Sequence, residues 1–187
     1  MTKTLKEILI EEKLTLELDP EYGTDKGGPK SYVEKYYEEK FLPFKDKKIN
    51  LVEIGVRSGA SICLWNNYFS NVEIYGLDDL SDKNNHNIPI KEEWVSGKNV
   101  NYIIGDAYTK EVADKIKNKI DILIDDGPHT LESHNKLIDL YLPKMKKNGL
   151  IIIEDISYNS QLITSRFPNS VVYDFGGYDN RLIEIIV

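Results

Sequence analysis

The sequence predicts an α/β fold: a seven-stranded, mostly parallel sheet with an antiparallel last strand and helices on both faces. Three observations point to it. Apolar runs at 49–54, 72–78, 100–107, 121–125 and 150–153 alternate with segments of helical spacing, as in repeated strand–helix units. Ile122-Leu123-Ile124 and Leu150-Ile151-Ile152-Ile153 are continuous rather than alternating, the pattern of strands covered on both faces. Finally, Val171–Phe175 and Leu182–Val187 are joined by Gly176–Asn180, too short for a crossover helix, so this pair is antiparallel.

In chain order, Leu5, Ile8, Leu9 and Leu14 lie at helical spacing among Lys and Glu. They predict an amphipathic helix packed on the domain, with a homodimer contact as the alternative. Gly23–Pro29 is a breaker-rich loop before a tyrosine-bearing helix. The strand Ile49–Ile54 runs into a glycine turn, Gly55 to Ser61, and a helix carrying Ile62, Leu64, Trp65 and Phe69. Strand, glycine turn and helix form a nucleotide-binding arrangement, because glycine admits a ligand close to the backbone and a helix N-terminus favours anionic groups. The spacing is E-x-G-x-x-x-G-x-S from Glu53, not the dinucleotide G-x-G-x-x-G, and suits a ligand with an amino group and no pyrophosphate. The second strand ends at Asp78, roughly 20 residues after the glycines, where a ribose-binding carboxylate belongs. Ser81–Lys98 reads as a long loop or short helix at the binding edge, anchored by Ile90 and Trp94. Gly105-Asp106-Ala107 ends the third strand, and Thr109–Asn118 reads as a polar helix with Val112, Ala113 and Ile116 inward. His129–Tyr141 and Tyr158–Phe167 complete the predicted helices, with Leu137, Ile138, Leu140 and Tyr141 as core contacts of the first.

The length, 187 residues, fits one domain with a substantial core, 1–187, in which 1–45 is a helical segment. A net charge of −7 argues against a nucleic-acid partner, which needs a basic surface. Cys63 is the only cysteine, so there is no internal disulfide, and its place in a helix predicts a core role. No apolar run is long enough for a membrane span and Met1–Leu18 has no signal-peptide core, which makes the cytoplasm the expected location.

The chemistry-bearing stretch is Asp121–His129. A buried strand ends in Asp125-Asp126, then Gly127-Pro128 turns into His129 at a helix start. The next strand ends in Glu154-Asp155. If both strands are central and parallel, four carboxylates and an imidazole meet at the carboxyl-end rim, where open α/β sheets bind ligands. Asp125 either caps the turn, contacts a cofactor or binds a metal ion. His86 and His134 read as surface residues, and Tyr158 and Tyr178 as acceptor-pocket or core side chains.

Glu53-Ile54-Gly55 with Gly59 and Ser61, then Asp78, then Gly105-Asp106-Ala107, resemble the S-adenosylmethionine site of class I methyltransferases. Gly23-Thr24-Asp25-Lys26, Ile124-Asp125-Asp126-Gly127-x-His129 and Ile153-Glu154-Asp155 resemble the metal-dependent sugar O-methyltransferases of macrolide biosynthesis, the mycinamicin type. The resemblance spans about residues 22–156. It implies the Rossmann-like methyltransferase fold, S-adenosylmethionine as cofactor, Mg²⁺, and a sugar or glycoside as small-molecule acceptor. By the same resemblance Asp126, Glu154 and Asp155 would bind Mg²⁺ and His129 would be the general base. Glu53 and Gly55 would lie at the methionine end of the cofactor, Asp78 at the ribose and Asp106 at the adenine, with Thr24, Asp25 and Lys26 folded over it. Position 128 is Pro where the family often has Ser, and the macrolide enzymes' large N-terminal domain has no counterpart in these residues. The rival readings are a metal-independent methyltransferase, an NAD(P)-dependent oxidoreductase, which the missing G-x-G-x-x-G disfavours, and a non-catalytic S-adenosylmethionine-binding protein.

Overall fold

The structure, a computed structural model, describes residues 3–81 and 86–187. Its strands are β1 (Lys48–Ile54), β2 (Asn71–Asp78), β3 (Val100–Ile104), β4 (Ile120–Asp125), β5 (Met145–Ile153), β6 (Val171–Asp174) and β7 (Arg181–Ile186). They form one sheet of order β3-β2-β1-β4-β5-β7-β6. β4 runs parallel to β1 and β5, with Leu123 opposite Val52 and Ile151. The chain then turns back: β7 inserts between β5 and β6, antiparallel to both. The predicted fold class holds, including the antiparallel last strand.

Two compact units divide the chain, one of 1–49, 56–76 and 80–102, the other of 50–55, 77–79 and 103–187. In the first, α1 (Leu5–Glu11) is capped by a reciprocal Thr4–Glu7 box and buries Leu5, Ile8 and Leu9. The helix packs inward, as the first of its two readings required. A π-turn at Val33–Tyr37 leads into α2 (Glu38–Phe41), and these bury Tyr36, Tyr37 and Phe41. Trp65 of α3 (Ala60–Tyr68) stands 5.1 Å from the rings of both Tyr37 and Phe41, so an aromatic cluster forms this core. Residues 82–85, within the segment read as a binding-edge loop, lie outside the described residues. In the rest of that segment α4 (Glu92–Val95) presents Trp94, and Lys91 Nζ lies over the Trp94 and Tyr22 rings while bonding Asp19 at 2.7 Å.

In the second unit, Ile122, Leu123, Ile124 and Ile151–Ile153 have no exposed surface, which is why no polar residue interrupts them. α5 (Lys110–Ala113), α6 (Leu131–Tyr141) and α7 (Gln161–Thr164) complete the unit. Three elements are shorter than predicted. β3 stops at Ile104 because Asp106 turns the chain, its carboxylate accepting from Tyr108 N at 2.9 Å. The polar helix keeps one α-turn at Lys110–Ala113, then tightens into i→i+3 bonds at Lys115 and Ile116. The segment before Pro168 keeps only Gln161–Thr164 as α-helix. Cys63 is half-buried and free, and its thiol pKa is pushed up to about 11 by burial.

Candidate functional site

Strand register assembles the site. Asp125 lies opposite Ile54 of β1 and Ile153 of β5, so Asp126 and Glu154-Asp155 emerge together at the carboxyl ends. The ladder continues past the strands, with Asp126 N donating to Ile54 O at 2.8 Å and Glu154 N to Asp125 O at 2.9 Å. The turn then carries His129 back over the acids. His129 Nε2 is 3.8 Å from Asp126 Oδ1 and 4.0 Å from Asp155 Oδ2. These three side chains have ligand atoms within 4.8 Å of one another. His129 Nδ1 is buried and has no hydrogen-bond partner among the described residues.

Two of the three occupy left-handed backbone, with φ of 54° at His129 and 55° at Asp155. That region costs a non-glycine residue free energy and persists only where its surroundings enforce it, a pattern found at functional sites. Because of it His129 does not open α6, as the sequence suggested. Thr130 is the N-cap instead, paired with Ser133 in a capping box. The imidazole is thereby aimed at the acids rather than along the helix.

Two glycines make this geometry possible. A Cβ on Gly55, whose φ is 83°, would lie 2.0 Å from the Asp126 carbonyl oxygen. A Cβ on Gly127 would lie 2.1 Å from the Tyr108 hydroxyl. A side chain at Gly55 would displace the backbone of Asp126, and one at Gly127 would push the Tyr108 hydroxyl off Asp125.

Behind the cluster is a polar interior. Asp125 is fully buried, and Oδ1 accepts from Tyr108 OH at 2.5 Å. Burial pushes its carboxyl pKa up to about 7, against the opposing effect of the Tyr108 bond. Oδ2 stands 3.7 Å from Nε2 of His134, which also has no exposed surface. His134 Nδ1 lies 2.7 Å from Tyr158 OH. Burial pulls the His134 pKa down to about 3, so its ring is neutral. The surface reading of His134 is therefore overturned. It lies three, four and seven residues before Leu137, Ile138 and Tyr141, on the helical stripe that is buried. That spacing was visible in the sequence; nothing there singled out Tyr108, whose contact with Asp125 is tertiary. His86 is exposed, as expected.

The remaining predicted residues are placed as follows. Glu154 is almost fully buried and is not one of the three clustered groups. Glu53 is fully buried at the end of β1. In the same unit Gly55 N donates to Leu77 O and Gly105 N to Asp78 O, both at 2.9 Å, so Asp78 and Asp106 flank one backbone crossing. Asp78 is half-buried and Asp106 exposed. In the other unit Ser61 is buried in the first turn of α3. Thr24 N donates to Leu14 O at 2.6 Å, and Lys26 is fully buried. Arg57 Nη1 donates to Gly23 O at 3.0 Å and Ser58 Oγ to Tyr22 O, fastening the Thr24 loop to the turn after β1.

Residues 52–156 match a family described as a methyltransferase domain. The chain is 32% identical over 146 residues to 8-demethyl-8-alpha-L-rhamnosyl tetracenomycin-C 2'-O-methyltransferase of Streptomyces olivaceus, covering 72% of this chain and 35% of that protein. It is 29% identical over 150 residues to mycinamicin VI 2''-O-methyltransferase of Micromonospora griseorubida, covering 75% of this chain and 35% of that one. The structure is similar to that of MycE methyltransferase from the mycinamycin biosynthetic pathway in complex with Mg, SAH and mycinamycin VI, with a TM-score of 0.64 and 25% identity. That likeness covers 82% of this chain and 39% of MycE. The chain thus spans about a third of the length of the curated relatives it matches, 35%.

Proposed function

Since the chain belongs to this methyltransferase-domain family, we propose that it is an S-adenosylmethionine-dependent, Mg²⁺-assisted O-methyltransferase acting on a hydroxyl of a sugar, glycan precursor or other polyhydroxylated small molecule. The observation that carries the proposal is the convergence of Asp126, His129 and Asp155 at the ends of two adjacent parallel strands. The names of two relatives, a rhamnosyl tetracenomycin-C 2'-O-methyltransferase and an L-olivosyl-oleandolide 3-O-methyltransferase, support the acceptor class.

The donor set fits a hard divalent cation. Two ligand bonds of about 2.1–2.5 Å span at most ~4.2–5 Å end to end, and the clustered atoms lie within 4.8 Å. Asp126 and Asp155 would hold the ion, with Glu154, the neighbour of Asp155, as the proposed third carboxylate. When bound, the cation lowers the pKa of an acceptor hydroxyl that is otherwise a poor nucleophile at neutral pH. His129 takes the proton at Nε2, the nitrogen that faces both acids. S-adenosylmethionine supplies the methyl group, and the chain's part is to align it with the acceptor oxygen. For that we assign Glu53 and Gly55 to its methionine end, Asp78 to the ribose and Gly105-Asp106 to the adenine, with Asp125, Ser61, Thr24 and Lys26 as further cofactor residues. Residues 1–187 then act as one methyltransferase domain with 1–45 over the cofactor, in the cytoplasm. No helix among the described residues is long and apolar enough to cross a membrane.

Thermal unfolding of EDTA-treated protein tests this reading. S-adenosylhomocysteine at ~100 times its dissociation constant adds ~2.7 kcal/mol, a rise of several degrees. Mg²⁺ raises the midpoint further, and Asp126→Asn abolishes that increment while keeping the S-adenosylhomocysteine response. A response to NAD⁺ or NADP⁺ alone would sink the proposal.

A further inference from the structure

Behind the acid cluster, the buried side chains of Asp125 and His134 and the half-buried Tyr158 lie in a row between the two strand ends that bear it. Tyr158 OH meets His134 Nδ1 at 2.7 Å, and His134 Nε2 faces Asp125 Oδ2 at 3.7 Å. Both of these facing atoms are buried and without a hydrogen-bond partner among the described residues. The other Asp125 oxygen holds Tyr108. Tyr141, also on α6, donates to Ala107 O at 2.8 Å and so fixes the turn that carries Tyr108. Asp125 immediately precedes Asp126, and Tyr158 lies three residues after Asp155. His134 is therefore the shared anchor of both ends, one turn into the helix that follows His129.

The arrangement is costly as packing. Buried polar groups lose hydration, and apolar side chains of the same size fill such space without that loss. What polar groups add is direction. Left-handed residues such as His129 and Asp155 stay in place only where neighbouring contacts over-determine them. Side chains bonded to metal-binding carboxylates orient them and tune affinity; here the contact is with Asp125, and the effect reaches Asp126 through the backbone.

We propose that His134 and Tyr158 are positioning residues: they form a buried strut between the β4 and β5 ends that sets the geometry, and so the cation affinity, of the Asp126–His129–Asp155 cluster. This inference rests on the cation reading above and adds residues that touch neither ion nor substrate.

The test is Mn²⁺ binding by the full chain, read by electron paramagnetic resonance of free Mn²⁺, beside the unfolding midpoint of each variant. Tyr158→Phe removes one hydroxyl and keeps the ring. It weakens Mn²⁺ binding by up to ~10-fold, the low end of the effect of side chains bonded directly to a metal ligand. Ile138→Val, an apolar trim on the same helix, lowers the midpoint and leaves Mn²⁺ affinity unchanged. Should Tyr158→Phe not fold, His134→Gln carries the same expectation. Wild-type affinity in the strut variants, or equal weakening in Ile138→Val, overturns the strut. Absence of Mn²⁺ binding by the wild type, or undiminished binding by Asp126→Asn, overturns the cation reading and the strut with it.

Discussion

His134 shows how one buried ring ties stability to pH. Burial holds its pKa at about 3 in the folded chain, against ~6.5 when unfolded. Below the unfolded value the unfolded chain binds the extra proton, so this stability is fully present above pH ~6.5 and is lost as pH falls toward 3. Between pH 7.5 and 5 the loss is about 2 kcal/mol. Urea unfolding at both pH values checks it: His134→Gln loses about 2 kcal/mol less than the wild type over that interval. Asp125 acts in the opposite sense, because burial raises its carboxyl pKa to about 7. Because it faces His134 at 3.7 Å the two are not independent, and the comparison is made in an Asp125→Asn background, which removes its titration from both proteins. Equal pH slopes for the two proteins would contradict a neutral, buried His134. At this scale the acids of the cluster were legible, because strand-end carboxylates stand out against apolar runs. His134 was not recognised, because a polar residue on a buried stripe reads as surface unless its helical phase is weighed.

At the scale of the element, α6 carries the most information. Its first residue is Leu131, and its cap, Thr130, accepts from Ser133 N at 3.1 Å while Thr130 N donates to Ser133 Oγ at 3.2 Å. Thr130→Ala removes the cap and costs ~1 kcal/mol, seen as a lower urea midpoint with an unchanged slope. A loss below ~0.3 kcal/mol would mean that tertiary packing, not the cap, defines the start of the helix. The cap also explains why His129 stays outside: its left-handed φ of 54° ends the turn before helical geometry begins. Apolar periodicity located α6 and α3 well. It overextended the segments after Thr109 and before Pro168, where short-range turns compete with the helix and few apolar contacts hold it.

For the whole molecule, strand order decides which similar residues matter. Ile183 of β7 pairs with Ile153 of β5 and Val172 of β6 and has no exposed surface. Val171, on the outermost strand β6, is 43% exposed. Ile183→Ala therefore costs ~2–5 kcal/mol, while Val171→Ala stays within ~0.5 kcal/mol, both by urea unfolding. Reversed magnitudes would place β7, not β6, at the edge. The same order explains the site, since β1, β4 and β5 are consecutive in the sheet and their carboxyl ends share a rim.

The sequence by itself determined the α/β class, the antiparallel return of the last strand and the identity of the acids at the β4 and β5 ends. These follow from local periodicity and from connections too short for any other course. Only the tertiary structure decided which of those acids meet. Register brings Asp126 and Asp155 to His129, turns Asp125 inward to Tyr108 and His134, and buries Glu154. A one-dimensional pattern states which face of a strand is apolar. It does not state where a side chain just past the strand will point, because that depends on backbone angles enforced by residues distant in the chain.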